Sequence, residues 1–297
     1  MAVGVRLADA VHTVSPSYKE DVLLPSNPPD FIGGEGLEAD LKKADLEGRL
    51  FGILNGANYN NIRSAASGKL YRNTVRALFG WLQEESKKYK YDFLAHTGEK
   101  IMDYVEKKPD FIVSSVARLT EQKFYYIMRS PDAFVQILEK LDRVNGIFML
   151  LGTGAPEYED LFRKLSYKHR NFIFTNGQSE DLIDSIYLES DLYFMPSLFE
   201  PCGISQMLAM RNGHPCLVHH TGGLKDTVEH LVTGFAFDGK TTDEKIENMV
   251  NSFDVVIDMF TNNKPAWNKI KANAKKQRFT WEKSVDDYYK LLYAITI

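Results

Sequence analysis

Met195-Pro196-Ser197-Leu198-Phe199-Glu200-Pro201-Cys202-Gly203 runs straight into Ile204-Ser205-Gln206, and His219-His220-Thr221-Gly222-Gly223-Leu224-Lys225-Asp226-Thr227 follows a few residues later. The first stretch reads as a strand end and a tight loop carrying one acid. Pro196 and Pro201 stiffen that loop, and Gly203 lets the backbone turn into a helix expected from Ile204 to Asn212. Pro215 to Val218 is a short apolar run with the look of a buried strand. Gly222 and Gly223 then open a second helix at Leu224. A glycine turn at a helix start presents bare N–H groups and the positive end of a dipole, an arrangement suited to phosphate. An acid on one loop and an anion site on the next fit a grip on a nucleotide-sugar, by its diphosphate and its sugar hydroxyls.

Phe199-Glu200-Pro201-Cys202-Gly203, followed by Thr221-Gly222-Gly223-Leu224-Lys225-Asp226-Thr227-Val228, resembles bacterial glycogen synthase and plant starch synthase. A Gly-Gly turn alone is weak evidence, but both motifs in this order and spacing are specific. Retaining glycosyltransferases of the same two-domain architecture commonly carry a second glutamate eight residues after the first, and here that position is Leu208. The glycogen and starch synthases also lack it, so its absence narrows the resemblance. What the resemblance implies is an α/β fold: a doubly wound parallel sheet, the C-terminal Rossmann-like domain of a GT-B-type enzyme, preceded by a remnant of the first domain.

The whole chain sets the bounds. Its 297 residues can bury a sizeable core, as one large domain or two small ones. Hydrophobic content of 44% and charged content of 26% are ordinary for a globular protein, and a net charge of −4 gives no case for nucleic acid. Cys202 and Cys216 are too few for a disulfide framework and point to a reducing, cytoplasmic home, or plastid stroma for a plant-type lineage. No apolar run approaches the roughly 18–20 residues of a membrane span, and Met1 to Val14 lacks the apolar core of a leader.

In order, residues 1–24 read as helix or loop, then a strand around Val11 to Thr13, then a helix started by Ser15-Pro16. This stretch and Gly36 to Gly56 resemble the close of the family's N-terminal, acceptor-side domain. The resemblance therefore divides the chain into a remnant over 1–56, a nucleotide-sugar-binding domain over 57–278, and a terminal helix over 279–297 that crosses back to the first domain. It also implies that on the order of 150–200 residues of the first domain are missing. Residues 57–108 match poorly and read as surface and packing helices over Tyr71 to Tyr89 and Asp92 to Glu106. From Phe111 onward short apolar runs alternate with amphipathic helices: strands at 111–116, 146–151, 171–175 and 191–195, helices at 131–141, 157–165 and 180–189. That alternation means a parallel sheet whose ligands bind at the strand carboxyl ends. Beyond Phe237 the chain reads as helices over 243–260, 266–278 and 281–294.

Arg118 and Lys123 lie just after the first of these strands. The resemblance makes them the diphosphate clamp, with Glu200 beside the transferred glucose, meeting positive charge at the anomeric carbon. An arginine can chelate two phosphate oxygens and a lysine adds a compact charge as the leaving group becomes more negative. Phe124 stands where the family has glycine, which changes the shape of that loop. Thr221, Gly222, Gly223 and Leu224 would offer N–H groups to the distal phosphate. Gly152-Thr153-Gly154 resembles the family's Gly-Thr-Gly-Asp, with Ala155 in place of aspartate, and Gly177-Gln178 takes a Gly-Tyr position whose ring covers the base. Cys202 and Gly203 complete the sugar side, Cys202 as an inert buried thiol. The adjacent His219 and His220 diverge at a strand end, no Asp-x-Asp pair is present, and no metal is expected.

Two functions follow. One is glucosyl transfer from ADP-glucose, or UDP-glucose since Gln178 cannot stack on a base, to an α-1,4-glucan with retention. The other is a module that binds nucleotide or glucan, or partners another subunit, without turnover, because half of the cleft is missing. An apolar face left bare by the absent domain offers a route to self-association.

Overall fold

In the computed structural model the described residues are 1–59, 70–86 and 92–293. An N-terminal segment holds α1 (Ala2–Leu7), β1 (Val11–Thr13), α2 (Pro16–Val22), α3 (Glu38–Leu46) and β2 (Leu50–Gly52). β1 and β2 pair in parallel, and Val5, Val22, Leu41, Ala44 and Leu50 form a small core of their own. Ser15 caps α2 by accepting the Tyr18 N–H, and Pro16 occupies the first turn, where its missing N–H costs nothing.

The bulk of the chain forms one six-stranded sheet. After α4 (Leu70–Ser86) and α5 (Asp92–Glu106) come β3 (Phe111–Val116), α6 (Glu121–Arg129), α7 (Pro131–Asp142), β4 (Gly146–Gly152), α8 (Pro156–Lys168), β5 (Phe172–Asn176), α9 (Glu180–Glu189) and β6 (Leu192–Met195). Then follow α10 (Ser205–Arg211), β7 (Cys216–His219), α11 (Gly223–Thr227), β8 (Phe235–Phe237), α12 (Thr242–Asn262), α13 (Lys264–Lys276), α14 (Trp281–Asp287) and a π-helical turn, Tyr288–Leu292. The strand order is β5-β4-β3-β6-β7-β8 and every pairing is parallel. Both faces are apolar, and successive residues divide between them. Phe111, Val113, Phe148, Leu150, Phe172, Phe174 and Phe194 pack with α6, α7, α8, α12 and α13, whereas Ile112, Ile147, Met149, Leu151 and Ile173 pack with α4, α5 and α9. Sheets covered on both faces read as continuous apolar runs, which is why these strands stood out in the sequence.

The expected doubly wound parallel sheet is present, with small differences. The strand expected at Pro215 starts one residue later, because Pro215 has no N–H to give and contributes only its carbonyl, to Tyr193 N. Of the helix expected over 71–89, the part to Ser86 is helical, while 87–91 lies outside the described residues. The expected continuous helix from Trp281 passes into the π-helical turn at Tyr288, and its expected end at Ala294 lies outside the described residues. α14 lies on the N-terminal segment: Ser284 Oγ donates to Leu54 O at 2.6 Å and Tyr288 meets His12 edge-on at 5.2 Å. Gly56 is needed there, since a Cβ would lie 2.3 Å from Trp281 N.

Candidate functional site at the strand reversal

The chain winds outward from β3 to β4 and β5, then restarts on the other side of β3 with β6, β7 and β8. At such a reversal the loops leaving the two central strands diverge and open a crevice at their carboxyl ends. A cavity of about 470 Å³ lies there. It is lined by Ser115 to Arg118 at the end of β3 and beyond it, by Gln122 to Phe124 of α6, by Met195 to Ser197 from the end of β6, by Glu200 to Ser205, and by Val14 and Asn55 of the N-terminal segment.

Five predicted residues line it, three of them charged: Arg118, Lys123 and Glu200. Lys123 donates through Nζ to Glu200 Oε2, and both side chains are largely buried. The start of α6 sets this pair by gripping the acid loop: Leu198 N donates to Gln122 O at 2.8 Å and Gln122 Nε2 to Phe199 O at 3.3 Å. Phe124 interrupts α6. Its backbone leaves helical geometry (φ −133°, ψ 24°) and its ring enters the core against Phe162 at 5.1 Å. Arg118 lies exposed at the cavity wall and has no acceptor among the described residues. The site thus holds one neutralised pair and one available guanidinium, a net positive charge facing a crevice.

Cys202 and Gly203 line the same cavity. Burial, with the Glu200 carboxylate adding to it, pushes the Cys202 thiol up to about 11, so the sulfur stays protonated and non-nucleophilic. Gly203 has φ +76°, the left-handed region that favours glycine. Gln206 ties down the turn by donating to Cys202 O, Gly203 O and Thr227 Oγ1 at 3.2, 2.9 and 3.1 Å. His219, outside the cavity lining, has its Nδ1 at 2.8 Å from Ser197 O, and the buried Ser197 Oγ has no partner among the described residues. Leu208 packs into an apolar cluster with Ala57, Cys202 and Met207, a setting hostile to an unpaired carboxylate.

The other predicted residues lie outside the cavity lining. Gly152, Thr153 and Gly154 run beside the Arg118 segment, where a Cβ on Gly152 or Gly154 would lie 2.1 Å from Ala117 O or Leu119 O. Thr153 Oγ1 and Gly154 N both donate to Glu159, at 2.7 and 3.0 Å. Burial opposes ionisation of Glu159, yet these donors and Asn176 outweigh it and hold its carboxyl below the ordinary range. Gln178 is exposed after β5, and its neighbour Gly177 abuts Trp81 of α4. The four N–H groups expected to face phosphate all have protein acceptors: Thr221 N gives to His219 O at 2.9 Å, Gly222 N to Asp21 Oδ2 at 3.1 Å, Gly223 N to Glu200 O at 2.9 Å and Leu224 N to Thr221 O at 3.0 Å. α11 has only five residues, so few peptide dipoles add along its axis. Sequence reasoning missed Asp21, Asn55, Gln206 and Ser197. Ser197 and Gln206 stood inside the quoted motif and Asn55 inside the stretch from Gly36 to Gly56 that resembles the family, but Asp21 carried no signal, being far away in the chain.

Residues 98–277 match the family described as Glycosyl transferases, group 1. The chain belongs to the group 1 glycosyl transferases. This glycosyl transferase is 32% identical over 295 residues to a glycogen synthase of Lachnospira eligens, covering 97% of this chain and 56% of that protein. A glycogen synthase of Alkaliphilus metalliredigens is 33% identical over 298 residues, covering 98% and 57%. This chain thus spans a little over half the length of the curated relatives it matches. Among solved structures, the catalytic domain of starch synthase IV from Arabidopsis thaliana, bound to ADP and acarbose, superposes with a TM-score of 0.73 at 24% identity, covering 99% of this chain and 57% of that one. Anabaena HepE in complex with UDP and glucose gives 0.61 at 17% identity, covering 99% and 65%. At these identities the two structures speak to the fold, and the glycosyl transferase shares it.

Proposed function

We propose that this chain is the nucleotide-sugar side of a glycogen or starch synthase-type glucosyltransferase, taking glucose from ADP-glucose with retention and adding it to an α-1,4-glucan. The observation that carries this reading is the convergence of Arg118, Lys123 and Glu200 on one cavity at the strand reversal. Arg118 would chelate phosphate oxygens, and Lys123 would stand between the diphosphate and the acid. As the glycosidic bond breaks, negative charge grows on the departing diphosphate, against Arg118 and Lys123, while positive charge grows at the anomeric carbon, against Glu200. Glu200 is the one acid among the residues lining the cavity, and no histidine lines it. The departing diphosphate itself would take the proton of the acceptor hydroxyl, on the same face, which is the stereochemistry of retention. The positive charge in this scheme comes from side chains, with no metal assigned.

A second reading, binding without turnover, draws on Asp21, which already occupies the Gly222 N–H, and on the open cavity, since transfer needs donor and acceptor held together. A glucosyl transfer assay on the chain alone separates them: extension of a glucan primer decides for turnover. The nucleotide half is tested first, by calorimetric titration with ADP, UDP and ADP-glucose. ADP should bind, and Arg118→Ala should weaken it by about tenfold or more, the loss of one charge-assisted contact. No binding of any nucleotide sinks the proposal. Self-association through the exposed stripe of Trp281, Val285, Tyr289 and Tyr293 belongs to the same proposal; a constant monomer mass in light scattering across concentrations would refute it.

A further inference from the structure

The N-terminal segment meets the acid loop through a reciprocal contact between two short helices. Asp21, near the end of α2, accepts the Gly222 N–H at 3.1 Å just before α11, and Lys225 Nζ lies 3.3 Å from its other oxygen. Asp226, in α11, accepts Ser17 N and Ser17 Oγ at 2.9 and 2.7 Å at the start of α2. Each helix therefore sets a carboxylate on the first turn of the other. Two further bonds close the ring onto the site: Ser15 Oγ donates to Pro201 O at 2.6 Å and Gly223 N to Glu200 O at 2.9 Å. The fit is tight, since a Cβ on Gly222 would lie 2.1 Å from Glu200 O.

We propose that Asp21 and Asp226 are positioning residues: the clasp between α2 and α11 fixes the backbone of Glu200 and Pro201, and so holds the Glu200 carboxylate on Lys123. This rests on the nucleotide-sugar reading of the cavity. Neither aspartate lines the cavity, so each acts through the turn it holds. On this account the N-terminal segment is a working part of the site rather than a leftover of another domain.

The test uses the full chain and two readouts. Deuterium uptake is followed in the peptide covering 197–203 and, as a reference, in peptides from β3 and β4. ADP affinity is measured by calorimetry in the wild type, Asp21→Ala, Asp21→Asn, Lys123→Ala and the Asp21→Ala/Lys123→Ala double variant. We expect Asp21→Ala to raise uptake over 197–203 alone and to weaken ADP about tenfold. Asp21→Asn, which keeps an acceptor for Gly222 N, should stay within about threefold of wild type. In the Lys123→Ala background the Asp21→Ala effect should vanish, because the pair it positions is gone. Unchanged uptake over 197–203 overturns the proposal, as does a rise of equal size in β3 and β4 or full additivity with Lys123→Ala. If the wild type binds no ADP, the nucleotide reading falls, and the uptake pattern still decides whether the clasp holds the acid loop.

Discussion

Lys123 and Glu200 are a buried ion pair, and such pairs are costly to break from one side. Lys123→Ala should destabilise the chain by about 3 kcal/mol, because it leaves a buried carboxylate unpaired. Lys123→Met with Glu200→Leu should recover most of that loss, since two apolar groups of similar size leave no orphan charge. Urea denaturation of the two variants checks both. A second residue sets the response to acid. His214 is buried, and burial, helped by the nearby Lys271 charge, lowers its pKa from 6.5 to about 3. The unfolded chain therefore binds this proton between pH 6.5 and about 3 while the folded chain does not. Stability is full above pH 6.5 and falls as the pH drops through that window. His214→Phe should lose less urea resistance than wild type between pH 7 and pH 5, and equal losses would refute the assignment.

At the scale of elements, the glycine turn before α11 is the most constrained piece. Gly222 combines φ +44° with contact on the Glu200 carbonyl, so Gly222→Ala should cost about 2 kcal/mol or more and carry the acid loop with it. A calorimetric titration should show ADP affinity falling along with the melting point. The elements readable from sequence were those buried on both faces: β3 to β6 and the long amphipathic helices around them. β1, β2 and β8 have three residues each, too few for a period to show, and of these β2 and β8 went unread. α6 was hidden by Phe124, whose position suggested a distorted loop, where the structure has a helix with one non-helical residue. Of the site, Arg118, Lys123 and Glu200 were legible through the family resemblance of the motifs that hold them, each motif following a strand end. Asp21 was not, because its partner is a backbone N–H 201 residues away. α5 was read from sequence only as a packing helix, yet the family match begins within it at residue 98, and Lys100 on it donates to Ser166 O, His169 O and Phe172 O and ties that helix to the end of α8. Composition alone marks such a lysine as surface.

For the molecule as a whole, a ligand that binds only the folded state stabilises it by mass action. ADP at about 100 times its dissociation constant should add about 2.7 kcal/mol, visible as a rise of several degrees in the melting temperature. Arg118→Ala, weakening ADP about tenfold, should cut that stabilisation to about 1.4 kcal/mol and so halve the shift at the same ADP concentration, while leaving the unliganded melting point in place, because the exposed guanidinium has no partner to lose among the described residues. The contacts that complete the cavity also span the chain. Ser15 reaches Pro201 across 186 residues, Ser17 reaches Asp226 across 209 and Ser284 reaches Leu54 across 230. Closing loops of that length is entropically costly, and long-range pairings form late. During synthesis, then, α2 waits without its partner until α11 has left the ribosome, and α14 comes later still. The crevice at the strand reversal is assembled last, so a nascent chain can fold β3 to β5 well before it owns a pocket able to take a nucleotide.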